Sequence, residues 1–231
     1  MKKTSQILPG AALLFASLLI GGCKKSTSSG NNTNVTYSDL VANATYKSSN
    51  GSSSTTTVYT YTYDSQGRLI EQQQTDGTPA ITYTYGSAMV TEVQGTTTTI
   101  YTLNSAGYAA SDNQGNTYTF DANGYRTSVI NTDGSSSVWT ITNKNVTTLV
   151  QTSSTGVVNT YAFAYSTSLY NTLRYGNEWI NGQPATNTLT SETYDGFTYP
   201  ITYTFDSHGR VSSLKIVSGA TTLTRNYTYI N

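Results

Sequence analysis

The chain holds one histidine, His208, and one cysteine, Cys23, and that scarcity removes most side-chain chemistry at the outset. A nucleophile–histidine–carboxylate relay needs the imidazole held between its partners, and a zinc site needs several nitrogen or sulfur ligands. His208 stands third in the turn Asp206-Ser207-His208-Gly209, where Gln66, Ala106 and Asn123 stand in similar turns, and reads as a solvent-facing turn residue. Oxygen chemistry is the remaining route. Asp64, Asp121 and Asp206 could each offer a carboxylate to Ca2+, but such a site gathers about six to eight oxygens and each turn brings one acidic group. Aspartate favours turns for its own backbone hydrogen bonding, so these positions need no metal, and no cofactor is expected. Glycoside hydrolysis needs two carboxylates across a cleft. Glu71, Glu92, Glu178, Glu192 and Asp195 are available, but nothing in the sequence brings two of them together, and the chain reads as non-catalytic.

Aromatic side chains carry more signal: twenty Tyr, five Phe and two Trp. Tyr59, Tyr61, Tyr63, Tyr83, Tyr85, Tyr161, Phe163, Tyr165, Tyr203, Phe205, Tyr227 and Tyr229 alternate with other residues, which places them on a single face of their strands. One reading is a core or lumen lining, stabilised by cross-strand aromatic contacts of about 0.2 to 1 kcal/mol each. The other is a carbohydrate platform, in which rings stack on sugars while Asn, Gln and Thr bind the hydroxyls. The lining is the favoured reading. Trp179 and Tyr175 fall in the one irregular loop, and loops on rigid scaffolds carry function more often than strands, so these two are the candidate ligand contacts.

The element that must position these rings is the hairpin of residues 57–77, TVYTYTYDSQGRLIEQQQTDG. Alternating Tyr and Thr make a half-buried strand, and the turn Asp64-Ser65-Gln66-Gly67 supplies a side-chain acceptor and a glycine that takes φ > 0 without steric cost. Strands are expected near 40–48, 54–63, 68–75, 80–85, 88–94, 96–103, 108–113 and 116–120. They continue near 125–131, 136–142, 146–152, 157–165, 188–195, 199–205, 210–217 and 221–230. Connections this short join antiparallel neighbours, since a parallel pair needs a long crossover. The fold class is therefore all-β, an antiparallel up-and-down meander of about sixteen strands, closed or flattened into a barrel because an open twisted sheet would leave two unpaired edges. The rhythm fails over 166–187, where 168–173 could form a helical turn; so long an irregular loop is functional or covers an open end.

Residues 1–22 read as a signal peptide, with Lys2 and Lys3 ahead of an apolar stretch too short to span a bilayer. Residues 23–36 are then a lipidated Cys23 and a flexible tether rich in Ser, Asn and Thr, and 37–231 a single all-β domain. Removing Lys2 and Lys3 with the signal leaves ten basic groups against twelve acidic, which argues against a nucleic-acid partner. A membrane-spanning barrel needs strands of about nine to eleven residues with an apolar outer side. Many strands here are shorter, and the face opposite the rings carries Thr60 with Thr62, Thr82 with Thr84, and Thr202 with Thr204.

Three resemblances follow from these motifs. Leu19-Ile20-Gly21-Gly22-Cys23 resembles a bacterial lipobox, which implies cleavage before Cys23 and acyl chains, palmitate among them, on the new N-terminus. The turns at Asp64, Asn104, Asp121 and Asp206 start 40, 17 and 85 residues apart, near multiples of about twenty. With Arg68, Arg126 and Arg210 behind three of them, they resemble the tyrosine-aspartate repeats of bacterial surface and toxin-shell proteins. The tether, YTYDSQGRLI at 61–70 and ITYTFDSHGRVSSLKI at 201–216 are similar to a family of Bacteroides-type lipoproteins with a porin-like fold and no assigned activity. Together these imply an exported protein lipid-anchored to the cell envelope at the outer membrane. The function expected is a non-catalytic binding module for a glycan or other polar ligand. The alternative is a structural lipoprotein that binds an envelope protein, with a membrane-spanning barrel and an enzyme behind both.

Overall fold

The computed structural model describes residues 39–230, so the expected signal peptide, Cys23 and most of the tether lie outside the described residues. The strands are β1 (Val41–Asn50), β2 (Ser53–Tyr63), β3 (Leu69–Gln74), β4 (Ile81–Tyr85), β5 (Met89–Gln94), β6 (Thr97–Leu103), β7 (Ala109–Asp112) and β8 (Thr117–Phe120). They continue as β9 (Arg126–Ile130), β10 (Ser136–Thr142), β11 (Asn145–Thr152), β12 (Val158–Tyr170), β13 (Asn187–Tyr194), β14 (Phe197–Phe205), β15 (Val211–Ser218) and β16 (Thr221–Tyr229). Each pairs antiparallel with its neighbours in sequence, and β1 pairs with β16 from Val41↔Tyr229 to Asn50↔Thr221. The meander is a closed sixteen-stranded barrel, as expected, and closure removes both unpaired edges. Tyr61, Tyr63, Tyr101, Tyr161, Tyr199, Tyr227 and Tyr229 are buried on the inner side. Thr60, Thr62, Thr82, Thr84, Thr202 and Thr204 are exposed on the outer one. The aromatic stripe is a lining.

One turn is used seven times. At Asp64, Asn104, Asp112, Asp121, Asn131, Ser153 and Asp206 the first residue's N–H donates to the fifth residue's carbonyl, and the fourth-position glycine N–H donates back to the first carbonyl. Those glycines have φ between 75° and 86°, which only glycine adopts without strain. In five of the seven, the Asp or Asn side chain also accepts from the N–H groups two and four residues on. The sequence pattern had shown four. The turns at Asp112, Asn131 and Ser153 fall outside that pattern because Ala109-Ala110, Ser128-Val129 and Val150-Gln151 stand where the four have Tyr-Thr. Asp195, expected at a strand end, is instead the first residue of a two-residue hairpin, with φ 50° beside Gly196 at 76°.

The irregular segment closes one end. β12 stays extended to Tyr170, so the helical turn expected at 168–173 is absent there, and a single turn α1 (Glu178–Asn181) forms further on. Residues 171–186 cross the barrel mouth and bond to its rim all the way round. The carbonyls of Arg174 and Gly176 accept from Val41 and Leu69 N–H, both at 3.0 Å, and Thr172 Oγ1 accepts from Val211 N–H at 2.8 Å. Gln183 and Thr186 N–H donate to the carbonyls of Gly124 and Lys144 at 2.8 and 3.0 Å. Gly176 and Gly182 make this approach possible: at φ 65° and 76°, a Cβ would stand 2.5 Å from Gly67 O and 2.6 Å from Arg126 N, respectively. Alanine at either position should therefore destabilise the barrel by at least about 1 to 3 kcal/mol, the cost of a strained backbone before any clash is added. Urea unfolding of Gly176→Ala and Gly182→Ala against the wild type measures it, and unchanged midpoints would show that the plug docks too loosely to matter.

Candidate ligand-binding lumen

The plug forms a floor from the two aromatic residues singled out in the sequence. The Trp179 indole meets the edges of Tyr101, Tyr83 and Tyr85 at ring-centre distances of 4.8, 6.1 and 6.4 Å, and Tyr175 meets Tyr61 at 5.1 Å. Trp179 is 8% exposed, so it is packed into the barrel and not displayed on a loop tip. Burial pushes the Tyr175 and Tyr61 phenols well above their ordinary pKa. These rings are neutral at any physiological pH.

Charged groups stand among the rings of the wall. Glu192 on β13 faces inward with no exposed surface, directly across from Phe163 on β12 and Tyr199 on β14, and neither carboxylate oxygen has a hydrogen-bond partner. Burial pushes its pKa up to about 7, against an opposing pull from the positive charge of Arg225. Arg225 on β16 is buried with its guanidinium over Tyr46, 4.6 Å from the ring centre. On the opposite wall Arg126 lies over Trp139 at 4.4 Å and donates to the Ile180 carbonyl of the plug at 3.0 Å. Glu92 is raised by burial, with a hydrogen bond from Tyr83 opposing the rise. At Asp112 burial also works against the charge, but donors from Asn116, Tyr118 and Gln114 outweigh it and hold the carboxyl below its usual range.

The other candidates are dispersed. Glu71 lines a polar groove on the outer face with Thr60, Thr62 and Gln73, Glu178 lies in the plug and Asp195 in a hairpin. No two of these five carboxylates are cross-strand partners. The oxygens of Asp64 and Asp206 are taken by their own turns and by Arg68 and Arg210, and among the described residues no group of three or more His, Cys, Asp or Glu could hold a metal. His208 is exposed, its ring 3.5 Å from Ser207. Arg225 and the environment of Glu192 were not singled out from the sequence, and Arg126 only as part of the turn motif. Parity could have found Arg225, since it stands two before Tyr227 and four before Tyr229 and so must share their inward face.

A closed, plugged barrel with a ring-lined interior defines a recognisable architecture. Among solved structures it is similar to a porin-like protein from Bacteroides uniformis ATCC 8492, with TM-score 0.65 and 21% identity over 82% of this chain and 98% of that one. It is also similar to a porin-like protein from Bacteroides vulgatus ATCC 8482, with TM-score 0.54 and 10% identity over 83% and 98% of the two chains. At such identities the likeness is one of fold. No family model and no curated protein matches the chain, so the lipoprotein-family and tyrosine-aspartate resemblances are not confirmed.

Glu192 sets a pH dependence with a definite sign. An unfolded glutamate ionises near pH 4.3, so with a folded pKa of about 7 this group costs nothing below pH 4, and its cost grows as pH rises to 7 and then levels off. At pH 8 the penalty reaches up to about 3 kcal/mol. Glu192→Gln should remove it, unfolding at higher denaturant than wild type at pH 8 and nearly level with it at pH 4. Equal midpoints for the two proteins at pH 8 would place the Glu192 charge in a far better solvated setting.

Proposed function

We propose that this chain is an exported, lipid-anchored envelope barrel that works without catalysis, taking a polar ligand, a glycan in the first instance, into its lumen. The observation that carries the reading is the direction of the aromatic stripe. Rings and phenol hydroxyls face inward above a floor of Tyr175 and Trp179, with carboxylates and guanidiniums set between them. Such a wall can stack on a sugar ring while its hydroxyls and charges bind the sugar's polar edge. The two porin-like neighbours support an envelope setting.

The same reading keeps the barrel out of the hydrocarbon. β7 and β8 have four residues each, where a spanning strand needs about nine to eleven, and the outward threonines would leave hydroxyls facing lipid. The second reading, an envelope protein that binds a protein partner, draws on Leu169 and Tyr170, which stand 43% and 67% exposed beside the plug. Affinity-gel retardation or a glycan array decides between them. The first reading expects a glycan signal that is lost in Trp179→Ala, whereas co-purification of one envelope protein with no glycan signal selects the second.

Anchoring hangs on Cys23 in this account, because acyl chains bring about 0.8 kcal/mol per buried CH2 and stable attachment takes more than one chain. Cys23→Ser should accumulate as unprocessed precursor. A chain starting at Lys24 behind a cleavable non-lipoprotein signal should be released as a soluble protein. Sedimentation of that soluble-signal version with membranes, resistant to high salt, would mean that the barrel itself is embedded.

A further inference from the structure

Four arginines lie over the face of an aromatic ring. Arg68 lies over Tyr85 at 4.3 Å, Arg126 over Trp139 at 4.4 Å, Arg210 over Tyr229 at 4.2 Å and Arg225 over Tyr46 at 4.6 Å. In two of these a carboxylate completes the arrangement, Asp64 bonding Arg68 and Asp206 bonding Arg210. In those two, ring face and carboxylate together hold the guanidinium. Glu192 has neighbouring rings and a carboxylate but no hydrogen-bonded cation.

Its side chain has no exposed surface, its two oxygens lack donors, and Phe163 and Tyr199 stand directly opposite on the flanking strands. Arg225 acts on it through space, but that guanidinium lies over Tyr46 and makes no hydrogen bond to Glu192. The other titratable groups facing it are the phenols of Tyr161 and Tyr165 on β12 and, near Arg225, Tyr203 on β14, all held neutral by burial. One inward position nearer the hairpin rim, Tyr161 and Tyr194 stack at 4.6 Å and 15°, and Tyr194 donates to Asn159 at 3.2 Å. This ring pair stands between Glu192 and the end opposite the plug.

We infer that Glu192, between Phe163 and Tyr199, binds an ammonium or guanidinium group of a small organic cation entering from the hairpin end. A cation meets both demands of the site, donors for two oxygens and charge for a ring-walled, low-dielectric setting, whereas a neutral hydroxyl meets only the first. The inference rests on the lumen-binding reading and names the ligand group for one part of it.

The test is calorimetric titration of the full-length protein, extracted in detergent, with putrescine and agmatine at pH 8, and with erythritol as the neutral four-carbon match. Wild type should bind both cations and not erythritol, Glu192→Gln should bind them at least tenfold more weakly while remaining folded by circular dichroism, and Phe163→Leu should weaken them in part. Lowering the pH to 5.5 should weaken cation binding by wild type, as Glu192 takes up a proton, and leave the Gln variant unchanged. Cation binding by Glu192→Gln equal to wild type overturns the inference, as does wild type that binds glycans or erythritol but neither cation. Wild type that retains neither cations nor glycans takes the lumen-binding reading down with it.

Discussion

A sixteen-stranded barrel has two open ends, and at one of them this chain must satisfy backbone groups that it has taken out of water. Val41, Leu69 and Val211, the first residues of β1, β3 and β15, have no exposed surface. An unpaired buried N–H or carbonyl costs about 1 to 3 kcal/mol, so six such groups could undo the closure that put them there. All six are met, and in the same way each time. The N–H takes an acceptor from the plug, namely Arg174 O, Gly176 O or Thr172 Oγ1. The carbonyl takes the hydroxyl of the last inward tyrosine on the next strand: Tyr63 for Val41, Tyr85 for Leu69 and Tyr229 for Val211, at 2.7 to 2.8 Å. Phenylalanine would fill the same space and leave three carbonyls bare.

That requirement explains which parts of the molecule were legible in the sequence. Strand number, antiparallel order and the direction of the tyrosine face follow from alternation and short turns, both local properties of the chain. The plug does not, because each of its hydrogen bonds joins residues far apart in sequence, such as Val41 with Arg174 and Thr186 with Lys144. Nothing in STSLYNTLRYGNEWINGQPATN announces those partners. Its length and lost periodicity marked it as a cover or a site, and the geometry makes it a cover with Trp179 turned inward. The helical turn went to 178–181 because Tyr170 still pairs with Asn187 on the neighbouring strand, which holds the chain extended where the turn had been expected.

The candidate site was legible only in part for a different reason. Glu192 can be read from the sequence as one of several scattered carboxylates, but its environment depends on register: Phe163 and Tyr199 stand opposite it because β13 carries an extra residue, Thr190, against Ala164 and Tyr165 of β12, and because the Asp195-Gly196 hairpin has two residues. A register slip of one residue would turn Glu192 outward among the threonines. The turn aspartates show the contrast. Asp64 and Asp206 meet their arginines four residues on, within one hairpin, and the sequence alone identified those positions.

Barrels of this strand number can leave an aqueous channel when their walls carry small or charged side chains. Here the wall carries tyrosines and the mouth carries a plug bonded to β1, β3 and β15 and to two further turns. Rings and plug depend on each other. The plug glycines lie against backbone at Gly67 and Arg126, and Trp179 fills the space between Tyr83, Tyr85 and Tyr101 that the inward rings leave at the centre. Removing the rings would strand the plug without a packing surface, and removing the plug would expose the buried strand starts. The plug thereby gives this barrel a fixed floor at the end where β1, β3 and β15 begin.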